Sequence, residues 1–548
     1  MKTRVSAAMF TALLACGGMQ AAPVIYPHQI VNAASYYAPG LPAGSIAEGS
    51  LFTIFGSGLG PVQGVQQSSF PLTTTFSGVS IQVTQKSTTV NAIPLYVSQG
   101  QINALLPSNT PLGWVSVWVT VNGSKSNPSP VYIVHDSPGV FTFTGTGIGP
   151  AALQNAVSAT NLPLNSNQAS ATPGQTEVLY LTGLGPINAP DNQAPPANLP
   201  ATPVEVWVGG VPATVVYSGR SPCCSGLDQI DFVVPPNAPQ GCWVPVYVRT
   251  SHTTVGNFTS MAISADGGAC LEPANPLAGP ILNGSSLGIL TLTRMTIHED
   301  VGVSATLDVT SDFVAFNATK YKPSPFAFAP FASLPPAGTC TLYPGIGDFF
   351  EGGKVPDVAS ASTALDPGTQ IQISSANSSQ QITLLASAAP LGSYLPLYSL
   401  PNSLYLAPGS YTVSGPGGAD VAAFSTSVSV PAPPVWTNRD QITAVNRSQP
   451  LTLSWSGAAG QMVTVMGMDS DLPSNSSAVF LCSGPAGANS LTIPREVLSA
   501  VPASQPSALR SKSAIYLVFT NDSGFSASGL SVARSAAVLM TGKTVRFQ

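Results

Sequence analysis

One internal repeat constrains this chain more than any other feature. Gly49-Ser-Leu-Phe-Thr-Ile-Phe-Gly-Ser-Gly-Leu-Gly-Pro61 returns 125 residues later as Gly174-Gln-Thr-Glu-Val-Leu-Tyr-Leu-Thr-Gly-Leu-Gly-Pro186. Gln101-Ile-Asn-Ala-Leu-Leu-Pro107 returns 128 residues on as Gln229-Ile-Asp-Phe-Val-Val-Pro235. Two copies of one module therefore stand in tandem. Each is built from stretches with apolar residues at every second position, among them Val79-Ser-Ile-Gln-Val83, Val115-Ser-Val-Trp-Val119 and Val204-Glu-Val-Trp-Val208. That period buries one face of a strand, and Gly, Pro and Asn clusters mark the turns between strands. Short strands at this spacing, with no helical stripe between them, predict an all-β chain of tandem β-sandwiches of about 100 residues each. In Gly-Leu-Gly-Pro the glycines supply backbone freedom where a strand ends in a sharp turn.

The 548 residues exceed a single core, and length alone predicts about three to five domains of roughly 100–150 residues. The repeat places the first sandwich at 27–137 and the second, cysteine-rich one at 138–268. After a Gly, Pro and Asn linker around Glu272–Ser286, strand-like runs resume at Leu290–Thr293, Ser304–Val309, Gln370–Ile373 and Tyr411–Val413, giving a third β-sandwich over 287–430. Pro431-Ala-Pro-Pro434 reads as a stiff hinge. Beyond it Leu451–Trp455, Val463–Met466, Ala478–Leu481 and Ile515–Phe519 give a fourth sandwich over 435–548, with one short helix at Pro494–Ala500.

These segments also carry a resemblance. Ile30-Val-Asn-Ala-Ala-Ser-Tyr36, the Phe-Gly-Ser-Gly-Leu-Gly-Pro turn, Tyr96-Val-Ser-Gln-Gly-Gln-Ile-Asn103, Ser137-Pro-Gly-Val-Phe141, Thr182-Gly-Leu-Gly-Pro186 and Cys223-Cys-Ser-Gly-Leu-Asp-Gln-Ile230 stand in order over about residues 27–265. They resemble the uncharacterised domain family of exported Solibacter and other acidobacterial proteins, and each half is similar to the immunoglobulin-like IPT/TIG modules of surface proteins. The resemblance implies an exported sandwich pair and brings no catalytic residues with it. In that family the domain usually follows something larger, whereas here it leads.

The amino terminus has the order of a bacterial export signal over residues 1–22: Lys2 and Arg4, an apolar run Val5–Ala15, then small residues. The run is shorter than the roughly 20 residues that span a bilayer. Leu13-Leu14-Ala15-Cys16 resembles a lipobox, which would make Cys16 a lipidated first residue and the protein an outer-membrane lipoprotein. Ordinary cleavage near Ala21 or Ala22, with Cys16 discarded, is the alternative. Either places the chain outside the cytoplasm, extracellular or in the cell envelope.

Beyond the signal stand six cysteines: Cys223, Cys224, Cys242, Cys270, Cys340 and Cys482. An even number in an exported chain reads as disulfides. Adjacent cysteines rarely bond each other, so Cys223 and Cys224 are expected to seek Cys242 and Cys270. Cys340 and Cys482 fall in different predicted domains. The four histidines form no ligand pair with these thiols, so no zinc site is expected.

Only 18 basic and 23 acidic residues occur, 7% of the chain, against roughly 25% in average soluble proteins. A charged coiled coil and a basic nucleic-acid binder are both excluded, and a net charge of −5 steers no ionic partner. Gly284-Ser285-Ser286-Leu287-Gly288 matches a nucleophile-elbow pattern, but strand-like residues follow it and His298 has no carboxylate between it and Ser286. Gly56–Gly60 and Gly145–Gly149 are followed by proline rather than by a helix that would cradle phosphate. His298-Glu299-Asp300 lacks a second histidine one helical turn on, and Asp469–Asn475 lacks the glycine and terminal glutamate of a calcium loop. Phe326, Phe328 and Phe331, flanked by proline, either pack on a sheet or form an exposed sugar-stacking platform. No motif asks for a cofactor. The sequence predicts a non-catalytic scaffold binding an extracellular glycan or surface protein; the alternative is a divergent exported hydrolase or hydrolase accessory with its site in the third domain.

Overall fold

The computed structural model describes residues 22–199, 202–250, 254–300, 306–346, 355–356, 358, 362–375, 378–385, 393–394, 406–471, 473–504 and 513–548. Cys16 and residues 1–21 of the expected export signal lie outside the described residues. Among the described residues no helix is long and apolar enough to cross a membrane.

The two repeats fold alike. In the first, hydrogen-bonded neighbours run Val24–Asn32, Leu51–Ser57, Gln101–Leu105, Thr88–Val97, Val79–Gln85, Gly113–Val121 and Ser129–Val134. In the second they run Gly139–Val140, Thr176–Thr182, Asp228–Val233, Val211–Arg220, Val204–Val208, Gly241–Thr250 and Thr259–Ile263, the same order. The corner is also shared. Thr88–Val97 pairs with Val79–Gln85 through its first half and with Gln101–Leu105 through its second, with an irregularity between Pro94 and Tyr96. Val211–Arg220 does the same, with its irregularity between Val215 and Tyr217. A proline that cannot donate to a ladder is tolerated at such a bulge, and the bulge lets one strand serve both layers.

Alternation fills the cores as the sequence predicts. Val79, Ile81 and Val83 are fully buried while Ser80, Gln82 and Thr84 between them face outward, and each such side chain contributes about 1.5–3 kcal/mol by leaving water. The two Gly-Leu-Gly-Pro turns insert Leu59 and Leu184, both fully buried, into equivalent places. Gly183 has φ +99°, and a Cβ there would sit 2.1 Å from the Ser137 carbonyl oxygen. Glycine is required at that turn.

The sandwiches meet at a polar joint. The Leu51 amide donates to Thr182 Oγ1 at 2.9 Å, and that hydroxyl donates to the Gly226 carbonyl at 2.7 Å. Ser108 donates through its amide and hydroxyl to the two Asp191 oxygens at 2.8 and 2.7 Å. Arg220, fully buried, donates from Nη2 to the Gly49 carbonyl at 2.8 Å and holds Nη1 2.8 Å from Asp228 Oδ1. Donors and acceptors of both modules thus meet across the contact, although Arg220 Nε, also buried, has no hydrogen-bond partner.

The carboxy-terminal half departs from expectation. One sheet runs Cys340–Ile346, Ser476–Ser483, Met462–Asp471, Ala514–Phe525, Val532–Thr544, Ser286–Asp300, Thr306–Tyr321 and Ser362–Ala364. It mixes strands assigned above to a third and a fourth domain, so the boundary at 430–435 separates no sheet. Ser286–Asp300 lies parallel to Val532–Thr544 over twelve paired positions. Val430 and Trp436 flank the proline segment and belong to one hydrophobic core, so Pro431–Pro434 crosses within a packed body and is not a hinge between two. A four-stranded sheet, Ser378–Leu385, Gln370–Ser375, Gly409–Gly417 and Ala422–Val430, and a three-stranded one, Val435–Trp436, Leu451–Ser456 and Ser490–Ile493, complete it. The expected short helix is present as Arg495–Ala500, with Pro494 as its extended N-cap.

Candidate functional site

The strand Gly113–Val121 buries Val115, Val117, Val119 and Val121 in the first core. Parity then forces Trp114, Ser116, Trp118 and Thr120 onto the outer face. Trp114 is 66% exposed and pairs in register with Tyr132, itself 45% exposed, on the neighbouring strand Ser129–Val134. Their rings stand edge to face with centroids 5.3 Å apart. On the other side, Trp118 is opposite Gln82 and Ser116 is opposite Thr84 on Val79–Gln85. Lys125 lies over the Trp118 ring, its Nζ 4.1 Å from the centroid.

The surroundings hold this face in place. Gln85 donates from Nε2 to the carbonyl oxygens of Leu112 and Trp114, at 2.7 and 3.3 Å, fixing the start of the strand. The Thr84 and Thr89 hydroxyls are hydrogen-bonded at 3.1 Å. The result is a sheet surface carrying large π faces among hydroxyl and amide groups. An exposed aromatic patch with a polar surround marks an interaction surface. The face offers apolar stacking plus hydrogen bonds, without a nucleophile or a carboxylate among these residues.

Six cysteines form three bonds: Cys223–Cys224, Cys242–Cys270 and Cys340–Cys482. The first corrects the expectation that adjacent cysteines would seek other partners. The turn carrying Cys223 and Cys224 leads away from the second core towards the first sandwich, while Cys242 and Cys270 lie buried together, so no exchange of partners is open to them. Cys340 and Cys482 are register partners on neighbouring strands of the mixed sheet; the bond lies within one body.

The phenylalanine platform is also corrected. Phe328 is buried with Trp243, Tyr343 and the Cys242–Cys270 bridge. Phe326 stacks on Phe143 of the second repeat at 3.7 Å between centroids, and Phe331 meets the edge of Tyr343. The Trp243 indole donates to the Ala327 carbonyl at 2.9 Å. This segment fastens the second sandwich to the carboxy-terminal body; of the three rings Phe331 alone is left exposed, at 40%, and the three form no shared platform.

The remaining polar clusters have structural partners. Ser286 opens a strand that follows the helix Ala278–Asn283, whereas a nucleophile elbow needs strand before helix. Its hydroxyl donates to the Gly529 carbonyl and accepts from the Ser531 amide. His298 lies twelve residues along the same extended strand, roughly 40 Å away, and its Nδ1 is 2.8 Å from Asp308 on the partner strand. Asp469 is buried within a strand and accepts hydrogen bonds from the Ser504 and Ser513 hydroxyls. Among the described residues no group of three His, Cys, Asp or Glu side chains is placed to hold a metal.

The most perturbed carboxyl is Glu177, on Thr176–Thr182. Burial pushes it up to about 9, and neither carboxyl oxygen has a hydrogen-bond partner. It shares a strand face with the buried Leu179 and Leu181. A carboxyl sealed in a core cannot exchange protons with an external substrate.

Sequence reasoning missed Trp114 and Tyr132. The legible signal is parity: Trp114 and Trp118 occupy the polar phase of a strand whose other phase is all valine.

Residues 39–133 match the IPT/TIG domain family, an immunoglobulin-like module. No curated protein matches the sequence. Among solved structures, SGBP-B of the Bacteroides ovatus mixed-linkage glucan utilization locus, in complex with a mixed-linkage heptasaccharide, is 11% identical, covering 83% of this chain and 87% of its own, with a TM-score of 0.14. Domains 5–6 of the S-layer protein SbsC are 9% identical over 44% of this chain and 98% of theirs, with a TM-score of 0.17. The N-terminal four Ig domains of Dscam1 isoform 7.44 are 10% identical over 91% and 96%, with a TM-score of 0.12. Scores this low carry no functional inference. The family match covers the first sandwich, including Trp114 and Tyr132, and identifies that part of the chain as similar to IPT/TIG domains.

Proposed function

We propose that the protein is an exported, non-catalytic scaffold that holds an uncharged glycan against the outer face of its first sandwich. The exposed Trp114–Tyr132 pair is the observation that carries this reading. A pyranose presents C–H groups on one face and hydroxyls around its rim, which fits aromatic rings bordered by Ser116, Thr84 and Gln82. Among the described residues no carboxylate or ion pair is built into this face, so stacking and hydroxyl contacts to a neutral chain are what it offers. Three disulfides favour an oxidising compartment, and the polar joint keeps the first sandwich at a fixed attitude to the rest. Attachment through a lipidated Cys16 would hold the protein at the envelope.

Calorimetric titration of the purified exported chain with soluble neutral polysaccharides tests the reading. Binding that disappears in Trp114→Ala supports it. An absence of binding to every neutral and acidic glycan offered, with the chain folded, removes it. Palmitate labelling that is lost in Cys16→Ser establishes the anchor, and a mature amino terminus after Ala21 or Ala22 rules it out.

A further inference from the structure

The turn joining Val211–Arg220 to Asp228–Val233 is where the two repeats differ most. In the first copy Tyr96 stands five residues before Gln101; in the second, the equivalent Tyr217 stands twelve before Gln229. The seven extra residues carry Cys223–Cys224, and they reach the first sandwich. Gly226 lies so close to it that a Cβ would meet Leu51 Cδ2 at 2.6 Å and Leu105 Cδ1 at 2.8 Å. The Gly226 carbonyl accepts from Thr182, which accepts from the Leu51 amide. Ser225 donates to the Gln193 carbonyl at 2.9 Å. Inside the turn the Ser221 amide donates to the Leu227 carbonyl and the Leu227 amide to the Cys224 carbonyl, at 2.9 and 3.2 Å.

The three disulfides differ sharply in access. Cys242, Cys270, Cys340 and Cys482 are all buried, whereas Cys223 and Cys224 are exposed. Thiol–disulfide exchange requires in-line approach of a thiolate to sulfur, so access sets which bridge reacts first. From these placements we infer that Cys223–Cys224 is a dithiol-exchange site, and that its reduction loosens the seating of the inserted turn on the first sandwich.

The partner is a dithiol, small or carried on a protein. One of its thiolates attacks an exposed cysteine sulfur, forming a mixed disulfide; the other cysteine leaves as a thiolate and takes a proton from water. The second thiol of the partner then attacks its own sulfur in the mixed disulfide and releases the remaining cysteine. The partner is oxidised to a disulfide and the turn gains two electrons and two protons. Opening the ring frees the backbone between Cys223 and Cys224, two residues from the Gly226 carbonyl that anchors the joint.

The test is a time course of the full exported chain with limiting dithiothreitol, alkylation and peptide mass spectrometry, run beside amide hydrogen exchange. Alkylation is expected at Cys223 and Cys224 before the other four cysteines. Leu51 amide exchange is expected to accelerate about tenfold, the readout of local opening at the joint. The double variant Cys223→Ser/Cys224→Ser should show the same fast exchange without reductant. Equal reduction of all three bridges, or selective reduction with Leu51 exchange unchanged, overturns the inference.

Discussion

Arg220 and Asp228 face each other in register across the strands that carry the inserted turn, with guanidinium and carboxylate 2.8 Å apart and both side chains sealed from solvent. The same guanidinium reaches the Gly49 carbonyl of the first sandwich, and Asp228 Oδ2 accepts from the Leu184 amide in the second Gly-Leu-Gly-Pro turn at 2.8 Å. One ion pair thus ties the repeated turn, the hairpin and the neighbouring module together. Removing either partner leaves a buried charge without its counterion, which costs about 3–5 kcal/mol. Arg220→Ala is expected to lower the urea midpoint by a corresponding amount, and Arg220→Met to recover part of it by replacing the lost volume. Equilibrium unfolding of the three proteins checks this; an unchanged midpoint in Arg220→Ala would show that the pair contributes nothing net.

The repeated half was legible because both of its determinants are local. Alternation marks the buried face of each strand, and the Gly-Leu-Gly-Pro turns fix where each strand ends, so Leu59 and Leu184 could be matched before any coordinates. The mixed carboxy-terminal sheet was not legible. Alternation says which side of Ser286–Asp300 is buried but not which strand lies beside it, and its parallel partner Val532–Thr544 is some 245 residues away. The site was half legible. Trp118 was read as part of a strand, and the outward phase it shares with Trp114 was the clue; the proline-flanked phenylalanines drew attention because local composition cannot distinguish an exposed aromatic cluster from one that a neighbouring module covers.

Stability should fall as the solution becomes more alkaline. Burial raises Glu177 to about 9, Glu272 to about 7 and Asp228 to about 6, in the last two cases against opposing backbone hydrogen bonds and, for Asp228, against Arg220. Each raised carboxyl holds its proton in the native state over a range where the unfolded chain has released it. Its contribution is complete below its unfolded value near 4 and is lost as pH climbs through the native one. Among the described carboxyls Glu177 is the one raised well above 7, and it sustains the slope there at about 1.4 kcal/mol per pH unit until about 9. Glu177→Gln should therefore flatten the thermal-melting profile between pH 7 and 9 and raise the midpoint at pH 8. A profile with the same slope in both proteins would place the titrating group elsewhere.

The proposed glycan-binding face separates binding from stability. Trp114 and Tyr132 project from a sheet whose core side is filled by valines, so truncating them removes little packing. Surface substitutions of this kind change stability by about 0.5 kcal/mol or less. Trp114→Ala and Tyr132→Ala should each weaken polysaccharide binding at least tenfold, equivalent to about 1.4 kcal/mol, with thermal midpoints near that of the parent. Val117→Ala, on the buried phase of the same strand, should do the opposite, lowering the midpoint while the folded fraction binds normally. Loss of binding in the valine variant at full folding would mean that the aromatic rings do not form the contact surface.

The two buried bridges should differ in what they contribute. Cys340–Cys482 closes a span of 142 residues and Cys242–Cys270 a span of 28. Restriction of the unfolded chain grows with the logarithm of the loop, giving roughly 5 kcal/mol for the first and roughly 3.6 kcal/mol for the second. The longer loop also joins register partners at the edge of the mixed sheet, next to the fully buried Leu342 and Phe480, so its loss frees a strand that local turns do not hold. Cys340→Ser/Cys482→Ser is expected to destabilise more than Cys242→Ser/Cys270→Ser in chemical unfolding monitored separately by a probe in each half. The second variant should act on the contact among Trp243, Phe328 and Tyr343, detaching the second sandwich from the carboxy-terminal body before either unfolds. A larger loss from the shorter bridge would show that packing around that contact, rather than chain restriction, dominates the effect of these bonds.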